Sequence, residues 1–564
     1  MKRRTRISAA IMLSVFFLLA LTSILPGRQS GTCDEIAHHI PVGTVLLDKF
    51  DLKMDTSHPP LSRYIAALLP NIFLNPVLPA DKAEWRREDR GEFGREFFYK
   101  YNIKTGPDRI LFLSRLAVVF VGLFSGVILF TWARELAGDK AALFSLFLYC
   151  FSPEVIAHSS LATTDMTAAC FILLALYTLW KYLGNISLES AMLAGFTLGL
   201  AQLSKYTAVV LYPLYLFFVF IYPRPSGQAV GKRKLAGHLL LIILISLIVI
   251  WAGYGFSSRP ILEDAMRVQE KLEIIGDISA KLDHLTGQRT GGLLLDLFVK
   301  VPLPFGEHIL GILGVMRHGQ LGHGTYLLGT YRPHGNILYF VTAFLIKTPI
   351  ASIIFIIAGI ALCLRKDNRS SYAVLSVSGF VLFAAASLSS LQLGIRYILP
   401  VYPILFIAAG RVEELLRPRA ARYITYSLAA WYIGAALWIW PHYLSYFNEL
   451  IGGPGKGYIY LRDSNIDWGQ DLPELARYLK KNGIDEVKLD YFGMADPAYY
   501  GIKALKMGAG EFIAPGKYVY AISVNYYDQP GWVRSYHPTA MAGYSIFIYD
   551  LRSQPGKDMA QALY

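Results

Sequence analysis

Stretches of about 20 consecutive apolar residues recur along this chain, and nothing else in the sequence constrains its fold as strongly, because each can cross the roughly 30 Å hydrocarbon core of a bilayer as a helix. The runs fall at 7–25, 111–133, 141–157, 166–183, 190–203, 207–222, 236–254, 337–364, 372–390, 398–415 and 423–440. They predict a mainly α, polytopic membrane protein of about eleven transmembrane helices, the one at 190–203 being the shortest. Of 564 residues 54% are hydrophobic and only 17% charged, below the roughly 25% charged content of a typical soluble protein. Disordered, collagen-like and coiled-coil classes are thereby excluded.

A net charge of +13 on a soluble chain would point to nucleic acid, so the position of the basic residues decides what the charge means. Lys2, Arg3, Arg4 and Arg6 precede the first run. That run is longer than a usual signal core, and Leu25-Pro26-Gly27-Arg28 offers no small-x-small cleavage site, so it reads as a first membrane helix. With this N-terminus cytoplasmic, alternation places 134–140, 184–189, 223–235, 365–371 and 416–422 inside. Arg134, Lys140, Arg224, Lys232, Arg233, Lys234, Arg365, Lys366, Arg369, Arg417, Arg419 and Arg422 all fall there, whereas the short outer turns carry Lys205 and Arg396. This asymmetry independently supports the orientation. The charge therefore speaks for topology and membrane lipids, and no nucleic acid partner is expected. Four cysteines in this length give no disulfide framework.

Three long segments are left outside, 26–110, 255–336 and 441–564. The second contains an amphipathic stretch at 261–285 suited to the membrane surface. The last changes to short alternating strands and one helix: strands at 458–462, 486–492, 517–524 and 544–551, a helix at 472–481. It reads as a small α/β outer domain, giving a transmembrane domain 1–440 and a C-terminal domain 441–564.

The residues able to carry chemistry gather at one set of helix ends. Asp34 and Glu35 lie nine residues past the first run, at the membrane boundary, where a carboxylate can deprotonate a hydroxyl beside a membrane-bound donor; the competing reading is two acids at a helix N-terminus, complementing its dipole. Asp165 reaches the same face and is also an N-cap candidate. Lys205 and Arg396 face that side too, and two cations beside acids suit an anionic head group, phosphate above all, although each also reads as a snorkelling interfacial residue. His58-Pro59-Pro60-Leu61 sets an extended bend before a helix at 61–69. His308, His318 and His323 fit no familiar metal spacing. Lys347 is a charge well inside an apolar run, and Pro349 is expected to break that span, putting Lys347 on an interfacial half-helix. The oxygens of Asp463 to Asp471 with Glu474 are spaced like a calcium loop, but the glycine comes one place late and Pro473 intrudes, which favours a strand-to-helix turn capped by Asp467 or Asp471.

Taken together these segments resemble the membrane glycosyltransferases of GT-C fold that use a polyprenyl-phosphate-linked sugar, the protein O-mannosyltransferases and lipid A aminoarabinose transferases among them. The resemblance is carried by Asp34-Glu35, His58-Pro59-Pro60-Leu61, Leu161-Ala162-Thr163-Thr164-Asp165, Leu203-Ser204-Lys205, Gly322-His323 with Tyr326-Leu327-Leu328-Gly329, Lys347-Thr348-Pro349 and Arg396-Tyr397-Ile398-Leu399-Pro400. Pro441 to Asn448 and Asp463 to Leu472 look like segments of bacterial members, so the similarity runs over most of the chain. It implies a sugar moved, with inversion, from an isoprenoid phosphate to a protein, lipid or glycan hydroxyl on the outer face of a bacterial inner membrane, the C-terminal domain lying outside. By the same resemblance Asp34, Glu35 and Asp165 form the acidic catalytic site. Lys205 and Arg396 bind the donor phosphate; His58 stands where some relatives have a phosphate-touching lysine. His323 and Lys347 belong to the substrate-contacting set. Relatives differ in metal dependence, so a divalent cation stays an open requirement. A transporter or flippase of lipid-linked sugars is the competing class, but it would place polar residues and broken helices near the midplane rather than at outer helix ends.

Overall fold

The computed structural model describes residues 2–52, 55–79, 89–222, 230–259, 276, 280, 283–284, 301–365, 369–416 and 418–552. The amphipathic stretch expected at 261–285 lies almost wholly outside them. The fold is predominantly helical, and every apolar run falls on helix. Among the described residues four helices are long and apolar enough to cross a membrane: Arg3–Ser23, Pro107–Cys150, Thr164–Gly184 and Lys232–Gly253. A fifth crossing is made if Tyr339–Lys347 and Ile350–Cys363, bent by 116° at their junction, form one span. The break falls on Thr348-Pro349, as expected of a proline that lacks the amide donor and crowds the preceding turn. The chain is a multi-pass membrane protein.

The long helix Pro107–Cys150 is interrupted at Gly138, whose φ of 86° ends one helix and starts the next. The Tyr149 hydroxyl donates to the Gly122 carbonyl at 2.7 Å, so the two halves lie side by side as a hairpin, which matches the separate runs 111–133 and 141–157. Side-chain distribution follows the membrane. Along Lys232–Gly253, Leu240, Leu244 and Ile248 are exposed while Leu235, Leu239, Ile242 and Ile250 are buried, two apolar stripes at helical spacing, one turned to lipid and one to protein. Apolar surface brings no hydrophobic drive between helices in lipid, so close packing must hold them. Gly195 and Gly199 supply it on Leu188–Ser204: a Cβ at Gly195 would meet the Ile242 carbonyl oxygen at 2.7 Å, and one at Gly199 would meet Val249 Cβ at 2.5 Å.

The two ends of the bundle differ. At one, Thr5 donates to Asp139 at 2.9 Å and Lys181 pairs with Glu135 at 3.1 Å, which places the N-terminus beside the hairpin turn in the basic rim. At the other end gather the first long loop and the C-terminal segment. Ser30 and Cys33 amides donate to the carbonyls of Gln470 and Trp468, stitching the two together.

The C-terminal region carries a five-stranded sheet in the order Lys503–Leu505, Glu486–Asp490, Val519–Ser523, Ile546–Asp550, Ala540–Ala542. The first three strands are parallel and the last two antiparallel to their neighbours, with Leu489 opposite Ala521 and Ala521 opposite Ile548. Val519–Ser523 is buried along its whole length, as a central strand with a covered face on each side should be. The helix Leu472–Lys481 falls where expected. The strand expected at 458–462 does not form: Pro454 and the four glycines at 452, 453, 455 and 457 favour the 3-10 turn Pro454–Ile459, leaving one bridge from Leu461 to Leu327. The short edge strands Lys503–Leu505 and Ala540–Ala542, of three residues each, give too little alternation to be read in sequence. One continuous core of buried side chains runs from the membrane helices into this sheet.

Candidate functional site

Four charged side chains, from four segments far apart in sequence, form a chain of ion pairs at the loop end of the bundle. Arg396 Nη1 lies 3.0 Å from Asp34 Oδ2 and 3.8 Å from Asp165 Oδ2, and Lys205 Nζ lies 2.6 Å from Asp165 Oδ1. Each residue sits at an interruption of helix. Asp34 leads into the wide π-type turn Glu35–His39, Asp165 stands in the first turn of Thr164–Gly184, Lys205 ends Leu188–Ser204, and Arg396 lies in the 3-10 turn Ile395–Ile398. Such ends are where backbone breaks can project charge without exposing unpaired amides to lipid. Neither acid caps its helix: the N-cap of Thr164–Gly184 is Thr163, and the Asp34 side chain makes no cap bond.

The group is partly open. Asp34, Arg396 and Lys205 keep 20, 11 and 13% side-chain exposure, while Asp165 has none. Aromatic faces hold the cations: the Arg396 guanidinium lies 4.1 Å over Trp468 and the Lys205 ammonium 4.6 Å over Tyr397, contacts that orient a cation while leaving its edge free for an anion. Burial alone would raise the pKa of Asp34, but the Arg396 charge, with His38 and His39, outweighs it and holds the carboxyl below its usual range. Asp34 is therefore ionised at neutral pH.

Glu35, its neighbour, is placed differently. Oε1 accepts from Arg115 Nε and the Ala162 amide, both at 2.8 Å. Oε2 accepts from Arg115 Nη2 at 2.7 Å and from the Thr32 amide and hydroxyl at 2.9 and 3.0 Å. Glu35 is fully buried and Arg115 nearly so. With every acceptor direction used, Glu35 locks the first loop to the turn before Asp165 and is not turned toward the ion-pair group. The sequence signal for Arg115 is a charge inside the apolar run 111–133, where a partner is required.

His58 is brought to a second cluster rather than to Arg396 and Lys205. Its ring packs 5.0 Å from His39 and 6.0 Å from His38, and its carbonyl accepts from Arg63. Arg63, Arg90 and His38 all pair with the buried Asp55. Burial, followed by His39 and Arg63, depresses the His58 imidazole well below its ordinary value, which keeps it neutral and unlike a phosphate-binding lysine. His39 links the clusters: it is buried, sensed electrostatically by Asp34 and Asp165, and pushed down to about 3 mainly by burial. Its role has no signature in sequence.

Lys347 does not reach the ion-pair group. It is fully buried, 3.3 Å from Glu154, and donates to the carbonyls of Leu444, Tyr446 and Asn465 at 2.9, 3.2 and 2.7 Å; no face is left for a substrate, which corrects the expectation that it contacts one. His323 lies at the rim, its Nδ1 3.2 Å from His318 Nε2. His308 is elsewhere, packed on Tyr206 and Tyr254. Among the described residues no group of three or more His, Cys, Asp or Glu side chains is arranged to hold a metal ion.

The 463–471 segment forms a turn that begins with the 3-10 element Asp463–Asn465. Asp467 accepts from the Gly469 amide at 2.8 Å and from Ser523, so it caps its own turn. Burial pushes its carboxyl up to about 8. Asp471 stands at the start of Leu472–Lys481 without a cap bond. The contribution of this segment to the site is Trp468 under Arg396 and Asp463, whose acidity is lowered by burial and which feels Arg396, His323 and Asp34.

Residues 110–251 match the family model described as dolichyl-phosphate-mannose-protein mannosyltransferase. That stretch holds Leu161 to Asp165 and Leu203 to Lys205, and the resemblance read from those motifs is borne out there. No curated protein matches the sequence. Among solved structures, the chain is similar to ArnT from Cupriavidus metallidurans bound to undecaprenyl phosphate, at 13% identity and a TM-score of 0.47, over 97% of this chain and 98% of that one. It is also similar to the archaeal oligosaccharyltransferase AglB from Archaeoglobus fulgidus in complex with an inhibitory peptide and a dolichol-phosphate, at 13% identity and a TM-score of 0.44, over 99% of this chain and 76% of that one.

Proposed function

We propose that this protein is a glycosyltransferase that moves a sugar from a polyprenyl-phosphate carrier to an acceptor hydroxyl at the outer face of a bacterial inner membrane, with its N-terminus in the cytoplasm. The observation that carries the reading is the linked Asp34, Arg396, Asp165 and Lys205 group at the loop end of a membrane bundle. Two carboxylates neutralise two cations that a phosphate diester can claim. The family match over 110–251 supports it.

The charges give an order of events. A donor phosphate binding to Arg396 and Lys205 displaces the carboxylates from those cations. Asp34 then loses the charge that keeps it acidic, its proton affinity rises, and it becomes a better base once donor is bound. The acceptor oxygen forms its bond to the anomeric carbon as the bond from that carbon to the phosphate oxygen breaks. The hydroxyl proton passes to Asp34, and the lipid phosphate leaves with the bonding pair, its charge met by the two cations. A single displacement inverts the anomeric centre. Asp165 positions Lys205 and Arg396 between turnovers, and His323 and Asp463 stand at the rim where the acceptor approaches. The acceptor is a protein, lipid or glycan hydroxyl.

The test is a transfer assay with purified wild type and Asp34→Asn, a panel of radiolabelled polyprenyl-phosphate sugars, and membrane and periplasmic extract as acceptors. Release of sugar from lipid by the wild type and not by Asp34→Asn is the expected result. Equal rates would remove Asp34 as the base. Movement of lipid-linked sugar across vesicles without any transfer would make the protein a transporter.

A further inference from the structure

Lys347 and Glu154 form a fully buried ion pair that the chemistry above does not use. Replacing such a pair by apolar residues is often neutral or stabilising, so a buried pair is weak evidence for stability. Its geometry is more informative than its energy. The three carbonyls that Lys347 gathers belong to Leu444, Tyr446 and Asn465, all in the C-terminal segment. Glu154 sits on the helix Pro153–Ser159, the element just before the helix Thr164–Gly184 that carries Asp165. One ammonium thus ties the C-terminal segment to the approach to Asp165.

The link continues to Arg396. Asn465 Oδ1 accepts the Ile395 amide at 2.9 Å, and its Nδ2 donates to the Tyr339 hydroxyl at 2.9 Å and to the Arg462 carbonyl at 2.8 Å. Ser464 donates to the Leu393 carbonyl. Gly394, at φ 130°, allows this approach, since a Cβ there would lie 2.6 Å from Ser464 Oγ. The backbone immediately before Arg396 is therefore held by the side chains of Ser464 and Asn465, and three residues further on Trp468 supplies the face under its guanidinium. Tyr339 and Lys347, at the two ends of one helix, bracket Asn465.

The geometry points to Lys347 and Asn465 as positioning residues that set the backbone and pose of Arg396 from the C-terminal segment, which makes that segment part of the donor site and not a cover over it. This rests on the reading of Arg396 as the phosphate-binding cation. Neither residue touches substrate; both act through Arg396.

Asn465→Ala is the clean variant, because the carbonyl that Lys347 uses is main chain and survives. The neutral pair Lys347→Met with Glu154→Gln is the second, since removing one charge alone leaves the other buried and the protein unfolded. Full-length protein in detergent is titrated with undecaprenyl phosphate. Asn465→Ala is expected to weaken binding at least about tenfold, yet to change it less than about twofold in an Arg396→Ala background, because residues acting through one group are not additive. Unchanged affinity, or an equal loss in both backgrounds, overturns the proposal. If the wild type does not bind undecaprenyl phosphate, the donor reading fails by itself. The link is then decided by maleimide labelling of Cys33, whose amide bonds the Trp468 carbonyl, the other cysteines being buried. Faster labelling in both variants supports it, and wild-type rates overturn it.

Discussion

Asp34 and Glu35 are adjacent in the chain and opposite in circumstance. Glu35 meets Arg115 in a closed cage of five donor contacts with no side-chain exposure, whereas Asp34 meets Arg396 in an open group in which both partners touch solvent. The difference teaches which charges hold the molecule together and which are kept available. A caged pair cannot release its cation without leaving a bare charge inside the protein. An open pair can exchange a carboxylate for a phosphate at little cost, because solvent and the incoming anion compensate at the same moment. Function is therefore to be sought at Asp34, and fold integrity at Glu35.

The comparison is broken most severely by Arg115→Ala. It strands Glu35 and should cost about 3–5 kcal/mol, seen as loss of the folded, monodisperse protein or a large fall in the thermal midpoint. Asp34→Asn should leave that midpoint near wild type and reduce transfer by about 10²–10⁴, measured as single-turnover release of labelled sugar. An equal loss of stability in both variants would erase the distinction between cage and open group. Lys205→Ala comes next. Loss of one charged contact to the donor, worth about 1.5–3 kcal/mol, should raise the donor KM by about 10–100-fold with a smaller change in kcat.

The smallest effects are in pH. Asp34 is held below its usual carboxylate range in the free protein, so the acid limb of the kcat/KM profile should lie below that of an ordinary carboxylate, and Arg396→Gln should move it upward. Asp467 sharpens the contrast from the other side. Its folded value near 8 exceeds its unfolded one, so the folded state holds the proton more tightly, and stability is complete below about pH 4 and falls as pH rises toward 8. Asp467→Asn should flatten that slope in thermal unfolding measured from pH 5 to 9; an unchanged slope would assign it to other groups.

The helices long and apolar enough to cross a membrane were legible because such a helix is a local property: about 20 apolar residues announce it without knowledge of neighbours. The break at Pro349 and the helix Leu472–Lys481 were legible for the same reason, one from a missing amide and one from strong amphipathic spacing. Asp34, Asp165, Lys205 and Arg396 were also readable, since charges at helix ends of one face are few and topology alone gathers them.

What the tertiary structure decided is which charge pairs with which. Nothing local separates Asp34 from Glu35, because both are acids on one turn and only Arg115, 80 residues away, takes one of them out of play. Lys347 carries the same charge as Lys205, but the carbonyls and carboxylate that enclose it come from segments about 100 and 193 residues distant, a set that no spacing rule foretells. His58 went to Asp55 and Arg63 for the same reason. Hydropathy is summed along the chain and therefore written in it, whereas an ion pair in a low-dielectric interior is chosen by geometry across it, where a difference of an ångström or two in placement decides whether a charge is caged or free.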